Sequence, residues 1–107
     1  VKVKVTPHHG GKPYVMDHNG MEFEAAAKAY KETFGKLPFA VRDGGSIPIV
    51  ALFEEILGSK TVLMGFGLDS DAIHSPNEHF GLYNFFKGIE TIPRFYSHYT
   101  SLFLENQ

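Results

Sequence analysis

A chain of 107 residues, 43% hydrophobic and 21% charged with a formal charge of -2, is long enough for one hydrophobic core and too short for two. Ten Lys and Arg against twelve Asp and Glu, without a basic run, leave no electrostatic footprint for nucleic acid, and no apolar stretch reaches the ~18 residues of a membrane-spanning helix. With no cysteine, disulfides, thiolate zinc sites and a cysteine nucleophile are excluded, so a metal here must be held by His and carboxylate side chains.

Val1-Lys2-Val3-Lys4-Val5 alternates apolar and cationic residues, the period of a strand with one buried face. A strand at the very start has nothing to pair with, and the chain begins at Val1 without methionine, so a fragment of a longer protein is expected. Thr6 to Asn19 reads as a loop, rich in Gly, Pro and polar residues. Asn19 is then a candidate helix cap with Glu22 as its capping-box partner, and Phe23, Ala26, Ala27, Tyr30 and Phe34 fall on one face before Gly35 ends the helix. Leu37 to Arg42 reads as a short extended segment. Gly44-Gly45-Ser46 turns into a second helix whose apolar face is Ile49, Leu52, Phe53 and Ile56, closed by Gly58.

Lys60 to Phe66 is a nearly continuous apolar run, as expected of a central strand. After a polar loop from Gly67 to His74, a long helix is expected from Ser75, with Pro76 at its first position and Glu78 three residues after the cap. Pro93 falls inside this helix, and a kink or break is expected between Ile89 and Phe95. Helix and strand thus alternate, which predicts an α/β unit with parallel strands and covering helices.

In open α/β sheets ligands bind beyond the carboxyl ends of the strands, which directs attention to loops 42 to 48 and 67 to 76. In the first, Gly44 and Gly45 let backbone approach a ligand, and the free amides of the following helix, with the Ser46 hydroxyl, suit an anion such as a carboxylate. The same residues would also serve a plain tight turn and helix cap. In the second, His74 precedes a cap-like Ser75-Pro76, and its imidazole is a candidate metal ligand with only Asp69 and Asp71 close in sequence. A histidine hydrogen-bonded within its own loop is the competing reading. His8-His9 is a weaker candidate, since adjacent side chains of an extended backbone point apart. Asp17-His18 and Glu54-Glu55 read as a cap and a solvated helix face, and the aromatics of the last thirty residues as core or subunit interface.

Three blocks in order, His9-Gly10-Gly11-Lys12-Pro13, Arg42-Asp43-Gly44-Gly45-Ser46-Ile47-Pro48-Ile49-Val50 and His74-Ser75-Pro76-Asn77-Glu78, with Gly65-Phe66-Gly67 before the last, resemble the dizinc metallopeptidase family of cytosolic nonspecific dipeptidase, carnosinase, aminoacylase and carboxypeptidase G. The likeness runs from about residue 5 to about residue 95. It implies a fragment of a three-layer α/β metallopeptidase catalytic domain, with residues 1–107 its C-terminal part and residues 1–6 the exit strand of an absent lid domain. It also implies two divalent metal ions, Zn or alternatively Mn, that with a glutamate general base hydrolyse a dipeptide or N-acyl amino acid. On this likeness His74 is the last metal ligand, and Asp43, Gly44, Gly45 and Ser46 bind substrate. Asp43 stands where the family usually has glutamate.

The general base and the other ligands are implied to lie upstream, so the 107 residues alone are expected to be inactive and to bind no complete metal centre. The full-length protein is expected to be a cytoplasmic homodimer without nucleic-acid or membrane partners. A non-catalytic peptide-binding or assembly module of the same fold is the alternative, and a generic α/β domain without retained chemistry a third reading.

Overall fold

The computed structural model describes residues 1–8, 10–42 and 47–107. Among these residues lie the helices α1 (Met21–Phe34), α2 (Ile49–Leu57) and α3 (Leu82–Glu105), with a 3-10 turn at Asp69–Asp71. The chain divides into two compact units, one formed by Val1–Met16 with Val41–Thr61, the other by Asp17–Ala40 with Val62–Gln107.

In the second unit α1 packs along α3. Helix axes approach as closely as the side chains between them allow, and the buried positions are mostly small: Ala25, Ala26, Ala29 and Thr33 on α1, Gly88 and Thr91 with Leu102 on α3. The expected apolar face of α1 is therefore shifted. Phe23, Ala27, Tyr30 and Phe34 are only half-buried, whereas Ala26 lies in the core as expected. The buried hydroxyls of Thr33 and Thr91 donate to the carbonyls of Ala29 and Lys87, at 2.9 and 2.6 Å, so neither is left without a partner. Glu32 of α1 ties the helices at the surface, facing His98 at 3.0 Å and Arg94 at 3.5 Å.

Gly35 and Gly58 end α1 and α2 in the left-handed conformation, with φ of 74° and 63°, which glycine adopts without a steric penalty. The start of α1 is one residue later than expected. Gly20 is its cap, and Asn19 instead turns back on Asp17, with its amide 2.9 Å from Oδ1. Of the kink or break expected at Pro93, the break is absent, since α3 runs unbroken from Leu82 to Glu105. The ring removes the donor of one helical bond and crowds the preceding turn. The Arg94 guanidinium donates to the neighbouring carbonyl of Glu90 at 2.8 Å, supplying a side-chain donor beside the gap.

The strand expectations fare differently. Among the described residues none of the segments 1–5, 37–42 or 60–66 forms a strand. A strand exists only through a ladder with a neighbour, and these segments find none among the described residues. Val1, Val3 and Val5 are exposed, as are Leu37, Phe39 and Val41. Helix α2 is where the sequence places it, but its expected buried face, Ile49, Leu52, Phe53 and Ile56, is exposed, and Val50 is its buried residue. No helix among the described residues is long and apolar enough to cross a membrane.

Candidate functional site

The His74 loop is held from below by α1 and α3. The Tyr30 hydroxyl donates to the Gly65 carbonyl at 2.7 Å and the Asn84 amide donates to the Phe66 carbonyl at 2.9 Å. The Phe66 ring stacks on Tyr30 and Phe34, with centroids 5.3 and 6.3 Å apart. On its other side it meets Gly88, where a Cβ would lie 3.2 Å from the ring. Desolvation pushes the Tyr30 phenol up to about 12, which keeps it a donor to Gly65 at neutral pH. This clamp on Gly65-Phe66 fixes the point from which the loop departs.

Three non-glycine residues of the loop, Ala72, His74 and Asn77, have positive φ of 54°, 61° and 65°. Left-handed conformations cost such residues about 1–2 kcal/mol each, so the surroundings must over-determine them. Asp71 does much of this. The residue is 2% exposed, its Oδ2 accepts the Leu68 amide at 2.9 Å, and its backbone carbonyl accepts the His79 amide at 3.0 Å. The Ser75 hydroxyl donates back to the Ala72 carbonyl at 2.9 Å.

These contacts correct the expected helix start at Ser75. The hydroxyl is turned towards preceding carbonyls instead of following amides, Asn77 is left-handed, and α3 begins only at Leu82. Glu78 does reach back, but to the amide of His74 at 3.4 Å. His74 is exposed, and its ring makes no hydrogen bond or ion pair among the described residues. Imidazole is a donor that suits zinc, so the side chain fits one ligand of a shared centre.

The structure does not gather further donors around it. Among the described residues no three His, Asp or Glu side chains are grouped to hold a metal. Asp71 is turned inward to the Leu68 amide, and Asp69, at the start of the 3-10 turn, is exposed. Asp43, Gly44, Gly45 and Ser46, the expected carboxylate loop, lie outside the described residues, as does His9.

What the first unit does describe is the frame on which that loop ends. Gly11 lies against Pro48, so close that an added Cβ would come within 2.8 Å of the Pro48 Cα. Lys12 pairs with Glu55 of α2 at 2.8 Å. That hydrogen bond and charge raise the Lys12 ammonium above, and lower the Glu55 carboxyl below, their ordinary values. Tyr14 both donates to the Thr61 carbonyl at 2.9 Å and accepts the Thr61 amide at 3.0 Å. A groove of about 290 Å³ lies between Gly10, Gly11 and Lys12 on one side and Pro48, Ala51, Leu52 and Glu55 on the other. The supporting roles of Gly11, Tyr14, Tyr30, Asp71 and Gly88 were not legible as site features.

Residues 1–98 match Peptidase family M20/M25/M40. The chain belongs to this peptidase family. It is 37% identical over 98 residues to the Cys-Gly metallodipeptidase DUG1 of Candida albicans, covering 92% of this chain and 20% of that protein. It is 32% identical over 95 residues to the human Beta-Ala-His dipeptidase, covering 89% and 19%. Among solved structures, the di-peptidase Dug1p of Saccharomyces cerevisiae superposes with a TM-score of 0.81 at 35% identity, covering 85% of this chain and 19% of that one. This M20-family chain thus has the fold of the matching part of a dipeptidase and spans about a fifth of the length of the relatives it matches.

Proposed function

We propose that this chain is part of a two-metal peptidase that hydrolyses dipeptides or related amide bonds, including N-acyl amino acids. The observation that carries the proposal is the match over residues 1–98 to the peptidase family together with an exposed imidazole at His74 on a tightly closed loop. His74 would be the chain's ligand to a pair of zinc or manganese ions. Such a pair polarises the scissile carbonyl and supplies a nucleophile near neutral pH.

The chain's remaining part is to hold the substrate. Backbone amides from Asp43 to Ser46 and the Ser46 hydroxyl would receive its carboxylate, since free amides at a helix start attract an anion. The seating of Gly11 on Pro48 fixes the residue two positions beyond Ser46. The general base and the other metal ligands would come from the rest of the catalytic domain, as would the strands that pair with segments 37–42 and 60–66. The 107 residues alone would then be inactive. The proposal includes a cytoplasmic homodimer, favoured by the resemblance to cytosolic dipeptidases and by the apolar surface left open on α2 and α3.

His74→Ala in the full-length protein tests this. Turnover should fall by more than the roughly 10–100-fold that loss of a supporting partner causes, with bound divalent metal reduced. Unchanged turnover and metal content would overturn the assignment and leave a non-catalytic peptide-binding or assembly module as the reading.

A further inference from the structure

Asp71 is a buried carboxylate that the proposed chemistry does not use. It sits three residues before His74 and is the point where the loop closes on itself. One oxygen accepts the Leu68 amide at 2.9 Å, on the near side of His74 in sequence. Its backbone carbonyl accepts the His79 amide at 3.0 Å, on the far side. The second carboxylate oxygen faces the His79 ring, 3.9 Å from Nε2. The other ring nitrogen of His79, Nδ1, lies 3.1 Å from the Asn77 carbonyl, which can only accept, so Nδ1 carries the hydrogen. The chain from Leu68 to His79 is thereby laced at both ends to one residue, with left-handed His74 between them.

We infer that Asp71 is a positioning residue for His74, its carboxylate and carbonyl closing the loop so that the imidazole is presented to a divalent metal ion in one fixed backbone conformation, with the backbone amide of His79 as the partner that completes the closure. The inference rests on the reading of His74 as a metal ligand. Its physical basis is that a ligand held in place loses little freedom on binding, whereas the same ligand on a loose loop must be ordered by the metal itself.

The test compares Asp71→Ala, Asp71→Asn, His79→Pro and His74→Ala in the full-length protein, measuring zinc affinity by competition with a chelator, well below the thermal midpoint and without substrate. Asp71→Ala should weaken zinc by about 10–100-fold, with excess zinc restoring turnover at unchanged KM. Asp71→Asn should recover most of the affinity, because the carboxamide oxygen still accepts the Leu68 amide and its NH2 can face Nε2 of His79. His79→Pro, which removes the amide that the Asp71 carbonyl accepts, should weaken zinc by about tenfold, and it carries the test if Asp71→Ala does not fold. Wild-type zinc affinity in Asp71→Ala, or in His79→Pro where Asp71→Ala cannot be purified, with zinc lost in His74→Ala, would overturn the inference alone. Zinc retained in His74→Ala would instead sink the reading on which it rests.

Discussion

Replacing Gly11 by alanine adds one methyl group where there is no room for it. The new Cβ would lie 2.8 Å from the Pro48 Cα, a backbone atom that cannot rotate away, and closer still to the Pro48 Cβ. Overpacking of this kind costs about 1–3 kcal/mol. Alanine also narrows the unfolded ensemble, which returns about 0.4–1 kcal/mol, and Gly11 has no left-handed φ that would add strain. The balance is a loss of about 1–2 kcal/mol. Because Pro48 caps α2, the displaced atoms are those leading from the Ser46 loop into the helix. Urea unfolding of the full-length protein, together with steady-state kinetics on a dipeptide, should show a lower midpoint at unchanged slope and a raised KM. A midpoint and KM equal to wild type would refute the close seating of residue 11 on residue 48.

Two further perturbations address the clamp beneath the His74 loop. Tyr30→Phe removes the bond to the Gly65 carbonyl and should cost about 0.5–1.5 kcal/mol at neutral pH. With the folded phenol pushed up to about 12 and the unfolded one near ~10, its contribution is full below pH 10 and is lost as pH rises towards 12. The variant's stability should therefore fall less steeply over that interval, and equal slopes in alkaline unfolding curves would contradict the assignment. Gly88→Ala should lower stability by about 1 kcal/mol, because overpacking against a Phe66 ring held by Tyr30 and Phe34 outweighs the gain of about 1 kcal/mol in helix propensity. A higher thermal midpoint would mean that the ring gives way.

The sequence by itself determined the family, through three short blocks whose order is independent of packing, and it determined where two helices stop, because a glycine after the last apolar turn is the residue that enters the left-handed region freely. It also placed His74 at a rigid junction, although by the wrong device. Ser75-Pro76 has the chemistry of a helix cap, yet the helix starts at Leu82, since the buried carboxylate of Asp71 claims the Leu68 amide and its carbonyl the His79 amide. Such competition between local bonds is decided only once the loop has something to close upon.

Tertiary structure alone decided the close approaches. Gly11 on Pro48 and Phe66 on Gly88 join residues far apart in the chain, and nothing in the local sequence marks which glycine must stay small. It decided Pro93 too, where a kink or break was expected and α3 continues without a break, with the Arg94 side chain supplying a donor to Glu90. The strand expectations for 1–5, 37–42 and 60–66 rest on composition, and composition expresses a preference for a ladder without providing the second strand. Helical hydrogen bonds are internal to one segment and so were largely readable from it, whereas strand pairing and the loop's closure depend on partners that only the folded chain brings near.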